Sequence, residues 1–171
     1  MRTTFFSLLL AALTVAGFGE SLSAQTADAD LTITRVIDAS ADEVWAQIRD
    51  LDALAKHSTI IAKVDFQGPE AAGGQRTCTT PDGQGKFVES ILEFSDANRS
   101  YRYAVVEGTP AKNLVNAFKV VDLGYNRCMI VWTSEYEAFM QNPQMTEDQF
   151  RGFMTNSLNE ILDSYTAAAK A

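Results

Sequence analysis

The chain has 171 residues, 46% of them hydrophobic and 21% charged, with a formal net charge of −8. That is the length of one ordinary domain, with enough apolar residues for a sizeable core. The acidic balance repels phosphate backbones, which argues against nucleic acid as a partner and against attachment to an anionic membrane surface by charge alone.

Residues 1–24 read as a secretory signal peptide. Arg2 gives a short positive start, Phe5 to Phe18 is almost wholly apolar, and the small residues Ser21, Ser23 and Ala24 follow. The expected cut is after Ala24, with Ser23 and Ala27 as alternative positions. The apolar stretch is shorter than the ~20 residues that cross a bilayer, so no stable membrane anchor is expected. The mature part, 25–171, reads as a single domain in an exported protein, periplasmic or secreted and bacterial in type.

After a short polar stretch, "LTITRVI" alternates with many β-branched residues and reads as a strand. Ser40 and Glu43 form a capping box: the hydroxyl takes a free backbone N–H and the carboxylate reaches back to another. Val44, Trp45, Ile48 and Leu51 then recur at helical spacing, and "DLDALAKH" extends this into a second short helix. Six strands follow: "IIAKVDF", "GGQRTCTT", "KFVESILEF", "SYRYAVVE", "NAFKVVDL" and "RCMIVWTSEYEAF". Pro81-Asp82-Gly83, Asp96-Ala97-Asn98, Gly108-Thr109-Pro110 and Gly124-Tyr125-Asn126 supply turns between them, which predicts an antiparallel meander.

Thr146 and Gln149 form a second capping box. Phe150, Phe153, Met154, Leu158, Ile161, Leu162 and Tyr165 then recur at steps of three and four. At ~1.5 Å per residue, Thr146 to Ala169 makes a helix of ~36 Å. Its one apolar stripe needs a broad apolar partner, and the inner face of the sheet is the candidate. The fold expected is α+β: a curved antiparallel sheet of about seven strands, two short helices after the first strand, and a long C-terminal helix packed over the sheet. Two such layers separate toward one end, and the gap is a candidate pocket.

Cys78 and Cys128 are the only cysteines. They can form one bridge, as exported proteins allow, or act as two buried thiols. They fall in different strands, and the two-thiol reading is preferred. No HExxH or CxxC pattern and no nucleophile elbow is present, and His57 is the only histidine. No metal, other cofactor or covalent hydrolytic chemistry is therefore expected.

The order of elements resembles the START-like superfamily, also called SRPBCC or helix-grip. That group includes pollen allergens, plant hormone receptors, polyketide cyclases and lipid-transfer domains. The resemblance runs from Leu31 to about Tyr165 and is carried by "IDASADEVWAQIRDLDAL", the Gly-Gly-x-Arg of "GGQRT", "ESILEFSDANRSYRYAV" and the Trp of "VWTSEYEAF". Bacterial polyketide cyclase/dehydrase-like members are the most similar in detail. The fold implied is specific and the function is not, because one fold hosts many functions.

The resemblance implies several site residues. Lys56, in Lys56-His57, occupies a place like that of a hormone-receptor lysine that meets a ligand carboxylate. A buried ammonium needs such an anion. The alternative is a solvated loop lysine. Glu89 stands where the family's strand points a Glu into the cavity. Alternation alone would instead bury the face of Val88, Ser90, Leu92 and Phe94. Arg76 is similar to a cyclase arginine that bonds a polyketide oxygen, and its alternative is a simple pairing with Glu89.

Tyr101 and Tyr103 share one strand face, and Trp132 and Tyr136 share another. Core packing is the default for such aromatics, and lining a pocket is the functional reading. The hormone receptors' gate and latch loops have no counterpart in "PDGQG" and "GTPAKN", so their mechanism does not carry over. The expected function is binding of a small lipophilic or aromatic ligand. The alternatives are a polyketide cyclase/dehydratase-like enzyme and a protein-interaction module with a filled core.

Overall fold

The computed structural model describes residues 29–170. The leader-like residues 1–24 lie outside the described residues. β1 (Leu31–Ile37) is followed by α1 (Ala41–Ile48), a single 3-10 turn at Leu51–Ala53 and the one-turn α2 (Leu54–His57). The capping box closes as expected: the Glu43 N–H donates to Ser40 Oγ at 3.2 Å, and the Ser40 N–H donates to Glu43 Oε2 at 2.9 Å. Val44, Trp45 and Ile48 form the buried stripe of α1.

Then come β2 (Lys63–Gln67), β3 (Gln75–Thr79), β4 (Lys86–Ser95), β5 (Ser100–Glu107), β6 (Ala111–Lys112), β7 (Leu114–Gly124), β8 (Arg127–Glu135) and β9 (Ala138–Phe139). Seven strands form one sheet in the order β1-β8-β7-β5-β4-β3-β2, and every neighbouring pair is antiparallel. α1 and α2 therefore carry the chain from one edge of the sheet to the other. β6 and β9 pair in a separate two-stranded ribbon. The stretch "RCMIVWTSEYEAF" is thus two elements and not one strand, broken after Glu135.

α3 (Glu147–Ala168) starts from the second capping box, with the Gln149 N–H on Thr146 Oγ1 at 3.2 Å. Phe150, Met154, Leu158, Ile161, Leu162 and Tyr165 turn to the sheet and are buried. Each such side chain contributes ~1.5–3 kcal/mol, so this one stripe holds the helix against the sheet. The core is continuous from α1 across the inner sheet face to α3. Among the described residues, no helix is long and apolar enough to cross a membrane.

The two readings of β4 are reconciled by irregularities in its pairing with β5. Register shifts lie between Val88 and Glu89 and between Ile91 and Glu93. Glu89 and Ile91 face inward, Leu92 and Glu93 are both exposed, and Phe94 turns in again to meet Trp45 at 5.7 Å between ring centres. A bulge adds a residue to one strand and so moves the later side chains to the opposite face. Resemblance places the first half of the strand, and alternation places Phe94.

Cys78 and Cys128 are free and buried. β3 and β8 lie four strand steps apart in the sheet order. At ~4.8 Å per step they are ~19 Å apart, well beyond the reach of a disulfide.

Candidate functional site

A cavity of about 100 Å³ lies between the inner sheet face and α3. Its walls are mostly apolar: Phe87, Leu114 and Phe118 come from the sheet, and Phe150, Met154 and Leu158 from α3. Leu54, Ser58, Ile60 and Ile61, on α2 and the segment after it, close one side. That segment is fastened to α3. Thr59 Oγ1 donates to Glu160 Oε2 at 2.8 Å, the Thr59 N–H donates to Glu160 Oε1, and His57 Nδ1 meets Ser164 Oγ at 3.0 Å. Phe153 of α3 is 37% exposed at the rim, where an outer groove shares Ile60, Phe87 and Phe153 with the cavity.

Arg76 and Glu89 are the charged residues in the wall. They are direct partners across β3 and β4, and their side chains are only 2% and 10% exposed. Arg76 Nε donates to Glu89 Oε2, and Arg76 Nη1 donates to the Leu51 carbonyl at 3.1 Å. The guanidinium carbon stands 5.1 Å from the Tyr103 ring centre and 5.9 Å from that of Tyr101. Burial alone would push the guanidinium toward neutrality, but Glu89 overrides it and holds the Arg76 pKa well above its ordinary value. The Cys78 thiol donates to Glu89 Oε2 at 3.9 Å, and burial, reinforced by Glu89, pushes it up to about 12. Such a thiol is no nucleophile.

Tyr101 and Tyr103 stack at 5.6 Å on the inner face of β5. Burial raises the Tyr101 pKa to about 12 and pushes Tyr103 well above its usual value, so both hydroxyls stay protonated and can donate. The Trp132 indole is fully buried in the wall. Its N–H influences the Tyr103 hydroxyl but lacks the geometry of a hydrogen bond. Arg76, Glu89, Tyr101, Tyr103 and Trp132 are thus brought to one cavity.

Two expected residues are placed elsewhere. Lys56 is exposed and does not line the cavity. In the single turn of α2, Leu54 and His57 share the inward face by their spacing of three, and Lys56 falls outside it. Tyr136 lies past the end of β8, so alternation no longer applies. Its ring packs edge-on to Phe150, and its hydroxyl donates to Glu147 Oε1 at 2.6 Å, outside the cavity. Sequence reasoning missed Asn116, which is buried in the wall. Its signal was a polar residue in the inward register of Leu114, Phe118 and Val120. Among the described residues, no group of His, Cys, Asp and Glu could hold a metal ion.

Fold and cavity define a helix-grip protein, an antiparallel sheet gripping a long helix around an apolar interior. The sequence model described as "Polyketide cyclase / dehydrase and lipid transport" matches residues 28–166, and the chain belongs to that family. No curated protein matches the sequence. Among solved structures, an uncharacterised Bacillus thuringiensis protein is similar at 18% identity and TM-score 0.65, over 79% of this chain and 97% of that one. Norcoclaurine synthase from Thalictrum flavum, in complex with dopamine and hydroxybenzaldehyde, is similar at 20% identity and TM-score 0.63, over 80% and 83%. The Zhui aromatase/cyclase of a Streptomyces species is similar at 15% identity and TM-score 0.63, over 81% and 89%. At these identities the likeness is one of fold.

Proposed function

We propose that the protein binds a small lipophilic or aromatic molecule between the sheet and α3. One observation carries this reading: an apolar cavity whose polar wall groups are buried and fixed in place. Ligand sites are mainly apolar with a few placed polar groups. The cavity's about 100 Å³ is below the usual range for drug-sized ligands, so the occupant is compact. For scale, an apolar cavity of ~150 Å³ holds benzene, so a one-ring ligand requires this cavity to widen, and the groove that shares Ile60, Phe87 and Phe153 with it is the space it widens into. We also propose, from residues 1–24, that the protein works outside the cytoplasm.

The test is native mass spectrometry of the mature protein, expressed with its leader and purified without detergent. The expected result is a reproducible mass above the apo chain that disappears when Met154 is replaced by Trp to fill the cavity. A clean apo mass, together with no thermal shift across a panel of compact aromatic and aliphatic molecules, refutes the reading.

The convergence of Arg76, Glu89 and Tyr103 on one cavity favours a second reading, a cyclase/dehydratase-like enzyme. Glu89 would act as general base, and Arg76 and Tyr103 as hydrogen-bond donors. Turnover of an aromatic or polyketide-like substrate, lost in Glu89→Gln with binding retained, separates this reading from a carrier.

A further inference from the structure

Arg76 and Glu89 already satisfy each other, and Arg76 Nη1 is committed to Leu51. A different corner of the cavity is unsatisfied. Asn116 Oδ1 and Trp132 Nε1, both in the cavity wall, are buried with no hydrogen-bond partner, as is Ser134 Oγ, which does not line the cavity. Buried polar groups are nearly always paired, and two orphans in one cavity wall call for an explanation.

Their positions are set by strand register. Tyr103 on β5 pairs with Asn116 on β7, and Asn116 pairs with Ser134 on β8. Trp132 lies two residues along β8, on the same inner face. Direct cross-strand partners have Cβ atoms ~4.5–5.5 Å apart and diagonal ones ~7–8 Å, so these side chains meet in one corner. Asn116 is 4% exposed and Trp132 0%, and both line the cavity beside Tyr103.

We infer that the corner formed by Tyr103, Asn116 and Trp132 recognises a neutral hydroxyl group, so that the ligand is a compact alcohol or phenol. The chemistry of the two orphans selects it. The Asn116 carboxamide oxygen needs a donor, and the Trp132 indole N–H needs an acceptor. One hydroxyl supplies both. An ether or ketone accepts from Trp132 and leaves the Asn116 oxygen unpaired. A carboxylate does the same and also brings a charge into the cavity, where the one buried cation is taken by Glu89. The ion pair is then a fixed part of the wall, and selectivity comes from the corner across β5.

This inference rests on the ligand-binding reading above, and the test separates the two. The mature protein is titrated with phenol, toluene, anisole and benzoate, one-ring probes of similar size, by thermal shift and by NMR. The expected order is phenol tightest, by about tenfold over anisole for one additional hydrogen bond and by more over toluene, which makes neither, with benzoate weakest. Trp132→Phe and Asn116→Leu keep the wall apolar, the first with a smaller ring, and each removes one of the two hydrogen bonds, so that the phenol-to-toluene ratio within that variant falls about tenfold. Asn116→Leu also raises the unfolding temperature of the apo protein, because it removes an unpartnered acceptor. An asparagine kept for structure would lower it. Should Asn116→Leu not fold, Trp132→Phe carries the comparison. Equal binding of phenol and toluene overturns the inference and assigns the orphan atoms to trapped water. Phenol selectivity that survives both substitutions also overturns it. No binding by any probe, toluene included, brings down the ligand-binding reading and this inference with it.

Discussion

Glu89→Ala tests the energetics at the centre of the cavity wall. Arg76 is 1% exposed, and Glu89 is its charge partner. Removing the carboxylate strands a guanidinium in apolar surroundings, which costs about 3–5 kcal/mol. In a domain of this size that lowers the unfolding temperature by ~10–15 °C. The Leu51 carbonyl and the Tyr103 face keep their contacts with Arg76, which favours the lower half of the range. Urea unfolding measures the loss directly. The paired replacement Arg76→Met/Glu89→Leu should restore most of it, because an apolar pair of similar volume removes both desolvation penalties. A loss below ~1 kcal/mol for Glu89→Ala, the size seen for exposed pairs, would refute the reasoning and mean that the pair is hydrated. A double variant as unstable as the single one would also refute it.

Other outcomes follow from particular contacts. Burial, with Lys56 beside it, holds the His57 pKa below its ordinary 6.5. The unfolded chain then binds the proton more readily, so the His57 contribution is complete above pH ~6.5 and is lost as pH falls toward the folded pKa. The urea midpoint should fall between pH 7 and 5, less steeply in His57→Gln, and an NMR titration of the imidazole should give a midpoint under 6.5; a midpoint above that value contradicts the burial argument. Cys78 and Cys128 should resist a thiol reagent at pH 8 in the native protein and yield two thiols per chain on unfolding; fewer than two would reveal a bridge. Gly108 has φ +98°, and a Cβ there would meet the Lys86 carbonyl oxygen at 2.1 Å. Gly108→Ala should therefore lose more than ~1 kcal/mol in urea unfolding, and an unchanged midpoint would show that the turn can shift freely.

Much of the architecture was legible because it rests on local chemistry. Ser40 with Glu43 and Thr146 with Gln149 mark two helix starts, and the turn residues mark most strand ends. The resemblance placed Arg76 and Glu89, and the alternation of β5 and β8 placed Tyr101, Tyr103 and Trp132. What escaped depends on geometry that period alone does not encode. The irregularity at Leu92 lets one strand bury Glu89 and then turn Phe94 against the core, which no fixed alternation allows. Lys56 turned outward because the inward face of one helical turn has room for Leu54 and His57 only. Tyr136 left the cavity because β8 stops one residue before it. Asn116 was overlooked because its strand looks apolar as a whole, and a single inward polar residue carries meaning only once its lack of a partner is visible.

The buried Arg76–Glu89 pair constrains how a protein of this shape can change over generations. Either residue alone is a liability, so single-step exchange at these two positions passes through a poorly folded intermediate. The pair is inherited together or replaced together. Positions such as Asn116, Leu114, Met154 and Leu158 carry no such interlock, and each can be altered alone. New ligand preferences would therefore arise on β7 and on the inner face of α3, while the ionic corner changes only as a pair.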